Sequence, residues 1–360
     1  MTTSSAARRA PLVVLPLLFA ATSADAVDDA SARGPLAVTT LEFADLVDAN
    51  RKGPVADAKK ARGASGRRVP IKVHLPAGDR PVPVVIVSHG AGGDWDTHLG
   101  QALHLASHGY AVLCLEHVGS NRAMLAGSFQ FMKVMEAMTR DADEVLGRPR
   151  DVRFAIDRSE EWNRTHEKLR GRLDPDRVGI MGHSYGAFTT LAVGGMRPAL
   201  DWLTPRVEPG RGLGPDLRDR RVRCGVALSP QGVGEPFFIR ESFGSLAVPT
   251  LGITGTLDRQ QGGLSAENRR EGFALWPDGP HRLVWLTNAR HVDFTDSAGT
   301  GRRELPSPTR ADVQPVVRAA MLLFFDAHLR GAAEAEAKLT AAGLKPFLRG
   351  GVTDVEVLAK

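Results

Sequence analysis

Short apolar runs alternate along the chain with longer segments of mixed polarity. The runs are rich in β-branched residues and read VPVVIVSHG, YAVLCLEH, RVGIMGHS, CGVALSP, VPTLGITG and HRLVWLT. Two extended segments, LAVTTLEFADL and RRVPIKVHLPAG, come before them. Runs that are apolar throughout are typical of strands buried on both faces. The pattern therefore predicts a mostly parallel sheet with a layer on each side.

The segments between these runs have the polarity pattern of helices. Helices are predicted for LGQALHLASHG, RPRDVRFAIDRSEEWNR and GAFTTLAVGGM, and a closing amphipathic helix for ADVQPVVRAAMLLFFDAHL. In the closing helix, the apolar residues that fall on or near one stripe are Val313, Val317, Ala320, Met321, Phe324 and Phe325. Strands that alternate with helices predict an α/β fold.

Length and composition favour one large domain with additions at its ends. With 360 residues, of which 42% are hydrophobic, the chain can bury a large core, and we expect the domain to span residues 27–335. Within it, residues 119–150 are long enough to form a cap over a site, and residues 204–222 are predicted to be a surface loop. Residues 336–360 are predicted to be a C-terminal extension.

The charge of the chain is only mildly basic. The net charge is +5, and the arginines are spread through GRRVP, GRPRDVR and RDRRVRC. Proteins that bind nucleic acid gather such residues on one face or along one helix. No nucleic-acid partner is therefore expected, and the sequence leaves the oligomeric state open.

The first 26 residues have the pattern of a signal peptide. Arg8 and Arg9 precede the apolar run PLVVLPLLFAA, and small residues follow in ADA at 24–26. The run is too short for a membrane span, and no later segment approaches the required length. The pattern predicts export to the periplasm or the medium with cleavage near Ala26. The arginine pair leaves the choice between the general and the twin-arginine export routes open.

Two cysteines are present, Cys114 in YAVLCLEH and Cys224 in VRCGVAL. An exported protein could join them in a disulfide. Each nevertheless lies within its own apolar run, so we expect two free and buried thiols.

The segment GIMGHSYGAF contains the pattern G-x-S-x-G with Ser184 at its centre. An apolar strand precedes it and a helix follows, which is the setting of a nucleophile elbow. Glycines flank the serine because a sharp strand-to-helix turn leaves no room for side chains there. The context predicts that Ser184 is a nucleophile.

A serine nucleophile needs a base and an acid that orients the base. In hydrolases with this kind of sheet, the acid and then the histidine follow the serine in the chain, each after a later strand. VPTLGITGTLDRQ leads into Asp258, and RLVWLTNARHVDF leads into His291. We therefore predict a triad of Ser184, His291 and Asp258.

Acyl transfer also requires donors for the negative oxygen of the intermediate. The N–H of Tyr185, at the start of a helix, is one candidate. The glycine-rich loop in VIVSHGAGGD offers the N–H of Ala91 as the second. Residues proposed near the substrate pocket on weaker grounds are Gly90, Gly92, Trp95 and His117.

These segments resemble the bacterial dienelactone hydrolase-like proteins of the α/β-hydrolase superfamily. SHGAGGD, LHLASHGYAVLCLEHVGSNR, DPDRVGIMGHSYGA and RCGVALS carry the resemblance, which covers roughly residues 36–330. They are similar also to secreted platelet-activating factor acetylhydrolases and, more distantly, to bacterial cutinases. The resemblance implies an α/β-hydrolase fold with Ser184 as nucleophile, His291 as base, and Ala91 and Tyr185 as oxyanion donors.

The sequence departs from these relatives in two places. Dienelactone hydrolases carry a cysteine at the elbow, where this chain has Ser184. The animal acetylhydrolases carry their acid after the strand that matches RCGVAL, where this chain has Ser229 and Pro230. Asp258 is therefore the expected acid, and Glu235 is the nearest alternative after Ser229.

Together these features predict a secreted serine esterase that acts on a small-molecule or lipid ester, with a short acyl group implied by the acetylhydrolase resemblance. A peptidase or amidase of the same fold is one alternative, and a non-catalytic protein that binds a ligand is another. No cofactor is expected. No metal is expected either, because the spaced pair His104 and His108 lacks the acidic residue of a zinc-binding helix.

Overall fold

A nine-stranded sheet forms the centre of the molecule in the computed structural model, which describes residues 29–53, 66–259, 265–297 and 306–360. The strands of the described residues are β1 (Val38–Phe43), β2 (Val47–Asp48), β3 (Arg67–Arg68), β4 (Ile71–Pro76), β5 (Val82–Ser88), β6 (Ala111–Leu115), β7 (Leu173–His183), β8 (Val222–Leu228), β9 (Thr250–Leu257), β10 (Arg282–Arg290) and β11 (Val355–Ala359). The order across the sheet is β1-β4-β6-β5-β7-β8-β9-β10-β11, and β2 pairs only with β3.

The sheet is parallel through its middle and antiparallel at its edges. Strands β6, β5, β7, β8, β9 and β10 run in one direction. Strand β4 pairs antiparallel with β1 and β6, and β11 pairs antiparallel with β10. Parallel strands end at the same edge of the sheet, so the loops that follow β5, β7, β9 and β10 converge there. The predicted mostly parallel α/β sheet is confirmed.

Helices connect the strands and cover the sheet. Those of the described residues are α1 (Leu99–Ser107), α2 (Phe131–Arg140), α3 (Ala142–Thr165), α4 (Tyr185–Val193), α5 (Glu267–Ala274), α6 (Arg310–Arg330), α7 (Ala333–Lys338) and α8 (Ala341–Leu344). The closing helix α6 begins and ends within one residue of its predicted bounds, and all six residues of its predicted apolar stripe are buried.

The core lies on both faces of the sheet. In β5, Val85 and Val87 pack in the cluster that includes α1 and α6, whereas Val84 and Ile86 pack in the cluster that includes α3. This alternation explains why the strand is apolar throughout, because each residue faces one covered side. Full burial of a side chain of this size contributes about 1.5–3 kcal/mol. Such strands therefore anchor the loops at their ends.

The predicted C-terminal extension is part of the sheet. Residues 336–360 contain α8 and β11, and β11 pairs along Leu286 to Arg282 of β10. The expected boundary near residue 335 is thus wrong, because the last segment closes the edge of the sheet beside the strand that precedes His291.

The other sequence-based expectations have mixed outcomes. Cys114 and Cys224 are free and buried, as expected. Residues 204–221 contain neither a helix nor a named strand, in keeping with a loop. The predicted signal peptide, residues 1–26, lies outside the described residues. No helix in the described part of the chain is long and apolar enough to cross a membrane.

Candidate active site

Ser184 occupies the turn between β7 and α4. Its backbone has φ 56° and ψ −114°, and a positive φ of this kind is strained for a residue with a side chain. A Cβ atom on Gly186 would lie 1.9 Å from the carbonyl oxygen of Ser88, and one on Gly182 would lie 2.4 Å from the carbonyl oxygen of Gly186. The two glycines therefore permit the tight turn that exposes the serine at the end of the strand.

The side chains of Ser184, His291 and Asp258 form a hydrogen-bonded chain. The Oγ of Ser184 lies 3.0 Å from Nε2 of His291, and Nδ1 of His291 lies 2.8 Å from Oδ1 of Asp258. Asp258 directly follows β9 and His291 directly follows β10, so the parallel strands bring them to one edge. With the Nδ1 proton donated to Asp258, Nε2 is free to accept the serine proton.

Asp258 is fully buried and accepts several hydrogen bonds. Its Oδ2 accepts from Oγ1 of Thr254 at 2.7 Å, and its Oδ1 lies 3.1 Å from Nη2 of Arg269. Burial by itself raises the pKa of Asp258, but the charges of Arg269 and His291 outweigh burial and hold this pKa well below its usual range. Asp258 is therefore a carboxylate at neutral pH.

Arg269 holds the acid loop to the end of β8. This buried residue of α5 donates from Nε to the carbonyl oxygen of Asp258 at 3.0 Å. It also donates from Nη1 to the carbonyl oxygens of Ser229 and Pro230, each at 2.8 Å. Burial lowers the pKa of Arg269, and the charge of Asp258 opposes this effect. Sequence reasoning missed Arg269, since an arginine in a polar segment carries no signal of burial.

Two further contacts orient the elbow and the histidine loop. The amide of Gln231 donates to the carbonyl oxygen of Ser184 at 2.6 Å. The ring of His183 donates from Nε2 to the carbonyl oxygen of His291 at 2.9 Å. Burial keeps the pKa of His183 well below its usual range, so the ring is neutral at physiological pH. Sequence reasoning could have found Gln231, because it lies just after β8, and this strand ends at the same edge of the sheet as the site.

The predicted oxyanion donors flank Ser184. Tyr185 is the first residue of α4, where an N–H group has no acceptor within the helix. Ala91 lies in the loop after β5 and lines the same cavity as Ser184, Tyr185 and His291. A Cβ on Gly90 would lie 3.6 Å from Cβ of Ser184, so the loop approaches the nucleophile closely. The assignment of Ala91 and Tyr185 as donors stays a prediction.

A cavity of about 270 Å³ opens beside the nucleophile. Its lining includes two methionines of α2, Met132 and Met135, and the aromatic or apolar residues Tyr185, Pro236 and Phe237 from other segments. The remaining lining residues described are Ala91, Thr139, Ser184, Gln231, Arg259, Arg269 and His291. Residues Met132, Met135 and Thr139 belong to the stretch 119–150, so α2 of the predicted cap forms one wall.

Two of the residues predicted near the pocket are not among its described lining residues. Trp95 packs beside Lys72, whose ammonium lies 4.7 Å from the centroid of the indole ring, and it does not line the described wall of the cavity. His117 is fully buried, donates or accepts at Ser88 Oγ across 2.9 Å, and contacts Asp151. The predicted place of His117 in the pocket is wrong, since its side chain is fully buried. Trp95 is only partly buried and packs against the core cluster that includes α1 and α6, and its place near the pocket stays a prediction.

The two glycines predicted near the pocket have different surroundings. Gly90 borders Ser184, whereas a Cβ on Gly92 would meet the side chain of Leu125, in the 3₁₀ turn Arg122–Leu125. Gly92 has φ 70°, which favours glycine and shapes the loop after β5.

No group of histidine, cysteine and acidic side chains in the described residues could hold a metal ion. The expectation of a site without cofactors stays a prediction.

Comparison with known structures identifies the architecture. A ferulic acid esterase from Streptomyces cinnamoneus superposes with a TM-score of 0.56 at 22% sequence identity, over 83% of this chain and 92% of that chain. The chain has the α/β-hydrolase fold. At this level of identity the likeness concerns the fold, in which a parallel sheet presents a serine elbow at its carboxyl edge.

Sequence comparison finds matches to parts of this α/β-hydrolase chain. Residues 65–210 match the family described as X-Pro dipeptidyl-peptidase (S15 family), a segment that includes Ser184 but ends before Asp258 and His291. Platelet-activating factor acetylhydrolase of Cavia porcellus is 25% identical over 193 residues, which is 45% of this chain. The match spans 38% of the length of that acetylhydrolase.

Proposed function

We propose that the protein is a serine hydrolase that cleaves carboxylic esters through an acyl-enzyme on Ser184. The observation that carries the proposal is the continuous chain from Ser184 Oγ through the ring of His291 to the buried Asp258, with distances of 3.0 and 2.8 Å. A hydroxyl, an imidazole and a carboxylate in this order are the parts that nucleophilic acyl transfer requires.

In the first half-reaction, Ser184 Oγ attacks the ester carbonyl carbon while its proton passes to Nε2 of His291. Asp258 accepts the Nδ1 proton in a hydrogen bond and stabilises the imidazolium. The substrate oxygen becomes negative and accepts from the N–H groups of Ala91 and Tyr185. When the carbon–oxygen bond of the ester breaks, His291 gives its proton to the leaving alcohol.

In the second half-reaction, water attacks the acyl group on Ser184. His291 takes a proton from that water and returns a proton to Ser184 Oγ as the acid leaves. The fixed tautomer of His291 serves both steps because Asp258 holds Nδ1 throughout. All proton transfers in the cycle therefore pass through Nε2.

The cavity supports a short acyl group. Its volume is about 270 Å³, and Met132 and Met135 of α2 close one side. This volume lies just below the usual range for drug-sized ligands, about 300–1,000 Å³. The apolar wall suits hydrocarbon, and the relative named as an acetylhydrolase is consistent with a small acyl group. We infer a preference for acyl chains of roughly two to six carbons, which such a small pocket can enclose.

A peptidase is the second candidate because residues 65–210 match the X-Pro dipeptidyl-peptidase family. An enzyme that removes dipeptides must hold the substrate's terminal ammonium, for which a carboxylate is the natural partner. The described lining of the cavity contains Arg259 and Arg269 and no aspartate or glutamate. Asp258 neutralises Arg269, but Arg259 leaves positive charge at this wall, which disfavours an ammonium, so the ester proposal is the stronger.

The proposal is tested with an active-site probe and paired substrates. A fluorophosphonate should label the wild type on Ser184 and leave the variant Ser184→Ala unlabelled, and p-nitrophenyl acetate should be hydrolysed only by the wild type. A non-catalytic binding protein would show neither reaction. Faster cleavage of alanyl-prolyl p-nitroanilide than of the ester would favour the peptidase.

We also infer export, from the sequence pattern of residues 1–26. The mature protein recovered from the cell envelope or the medium should lack this segment. Intact-mass measurement decides the matter, and a mass that retains Met1 to Ala26 would contradict export with cleavage.

A further inference from the structure

Arg148 lies directly behind the loop that carries Ala91. This residue of α3 is fully buried. Its Nη2 donates to the carbonyl oxygen of His89 and lies 3.3 Å from Oγ of Ser88. The His89 carbonyl belongs to the peptide bond just before Gly90, so the contact fixes the peptide plane next to the one that bears the Ala91 N–H.

The same guanidinium contacts the residue of the second predicted donor. The Cζ of Arg148 lies 4.1 Å from the centroid of the Tyr185 ring, in cation–π geometry. The backbone N–H of Tyr185 is the other group assigned to the substrate oxygen. One buried side chain thus touches both segments whose relative position defines the oxyanion hole.

The charge of Arg148 has no direct carboxylate partner among the described residues. The nearby acids are held by Arg67, which donates to Glu144 at 2.8 Å and to Asp151 at 2.7 Å. The Nε and Nη1 atoms of Arg148 are buried without an acceptor in the described part of the chain. Burial lowers the pKa of Arg148 to about 10, against the opposing effect of Tyr185 and Glu144, so the residue stays a cation at neutral pH.

A buried cation without a counter-ion is expensive for a fold, since desolvation costs several kcal/mol. A role confined to packing would be served by an apolar side chain of similar volume. The reaction creates negative charge on the substrate oxygen, and the two segments that Arg148 contacts carry the N–H groups assigned to that oxygen.

We propose that Arg148 is a positioning residue for the oxyanion hole. It holds the peptide before Gly90 through the His89 carbonyl and holds Tyr185 through its ring, and its charge favours the tetrahedral intermediate over the bound ester. The effect belongs to the transition state because the ester carbonyl carries only partial charge before attack. The inference rests on the proposed esterase activity.

The test compares Arg148→Met with the wild type on p-nitrophenyl acetate. We expect kcat to fall by about 10²–10³, the range seen when one oxyanion donor is lost. KM should change by less than about threefold, because binding of the ground state does not use this charge. Affinity for a trifluoromethyl ketone, which forms a tetrahedral adduct with Ser184, should fall by the same factor as kcat. Affinity for the uncleaved amide analogue should stay within about threefold.

Arg221→Met is the matched control. Arg221 also carries a charge network, with Asp219, Asp157 and Glu160, but it lies just before β8 begins, at the opposite edge of the sheet. This variant should keep kcat within about twofold, as expected of a site remote from the chemistry.

A second variant keeps the proposal testable if Arg148→Met does not fold. Arg148→Lys keeps the charge but loses the planar fork, and it should show an intermediate loss of about tenfold. Wild-type kcat in either folded variant would overturn the proposal. Equal losses of affinity for the amide and the trifluoromethyl ketone would also overturn it. So would the failure of both variants to fold. Either outcome would mean that Arg148 serves the structure alone. A wild type that neither cleaves the ester nor reacts with the fluorophosphonate would instead refute the proposed function.

Discussion

The guanidinium of Arg269 lies 3.1 Å from Oδ1 of Asp258, the same oxygen that accepts the hydrogen bond from His291. Both members of this ion pair are buried. Their contact keeps Asp258 ionised where burial alone would favour its neutral form. The orientation of His291 thus depends on a residue that does not belong to the triad.

Removal of this arginine should destabilise the fold in a pH-dependent way. Arg269→Met leaves a buried carboxylate without its cation, for which we expect a loss of about 3–5 kcal/mol at pH 7. In the wild type, the lowered pKa of Asp258 stabilises the fold at any pH above the pKa of this residue in the unfolded chain, about 3.9. This stabilisation is lost as the pH falls through the pKa of Asp258 in the folded protein. In the variant the folded pKa is raised, so protonation at mildly acid pH relieves the penalty. Urea unfolding should therefore show that Arg269→Met loses less free energy of unfolding, relative to the wild type, at pH 5 than at pH 7.

The neighbouring Arg270 provides the control for that experiment. It pairs with Glu356 at 3.0 Å on the surface. Arg270→Met should cost less than about 1 kcal/mol, as is usual for exposed ion pairs. Equal losses in both variants, or a gap that does not change with pH, would contradict the part assigned to Arg269.

Loss of the acid should reduce turnover while the fold stays intact. Asp258→Asn is expected to lower kcat by about 10³–10⁴, because the amide leaves His291 in the wrong tautomer. Glu235 is the alternative carboxylate, but it pairs with Arg140 at 2.5 Å on the surface. Glu235→Gln should cost less than about tenfold, in line with a residue outside the triad. Retained activity in the Asp258 variant together with loss in the Glu235 variant would mean that the acid is misassigned.

The elbow should not tolerate a methyl group after Tyr185. A Cβ on Gly186 would lie 1.9 Å from the carbonyl oxygen of Ser88, so Gly186→Ala must shift the backbone of the elbow or of β5. We expect a loss of about 1–3 kcal/mol in the free energy of unfolding and a large fall in kcat. Gly244→Ala is the control, since no atom lies within 4 Å of the added Cβ. Thermal unfolding and ester hydrolysis measured on both variants check the prediction, and a fully active Gly186→Ala would refute it.

The cap helix should set the length of the acyl group. Met135→Ala widens the cavity beside Ser184, so the preference among p-nitrophenyl esters should move from roughly two to six carbons toward longer chains. Phe131, on the same helix but outside the described lining, supplies the control Phe131→Ala. An unchanged profile in Met135→Ala, or a wild-type rate that climbs steadily toward palmitoyl, would contradict this assignment.

The sequence by itself determined which segments form the strands of the central sheet and which polar residues directly follow them. Strands β5 to β10 are apolar because both faces are covered, and this strong local pattern locates them without knowledge of their partners. Ser184, Asp258 and His291 could then be predicted, since each directly follows such a strand and parallel strands end at one edge. Their catalytic roles stay predictions, although the side chains lie within hydrogen-bonding distance.

Only the tertiary structure decided which residues surround these three. Strand β11 is half-exposed at the edge of the sheet, so VEVLA carries a weak pattern and was taken for part of an extension. Trp95 and His117 follow strands that end at the same edge of the sheet as the site, but Trp95 packs beside Lys72 and His117 is fully buried. Arg148 and Arg269 are polar in sequence yet buried, because acceptors from distant segments, such as the carbonyls of His89 and Ser229, meet them. A buried charge depends on partners that folding brings together, and no local pattern records them.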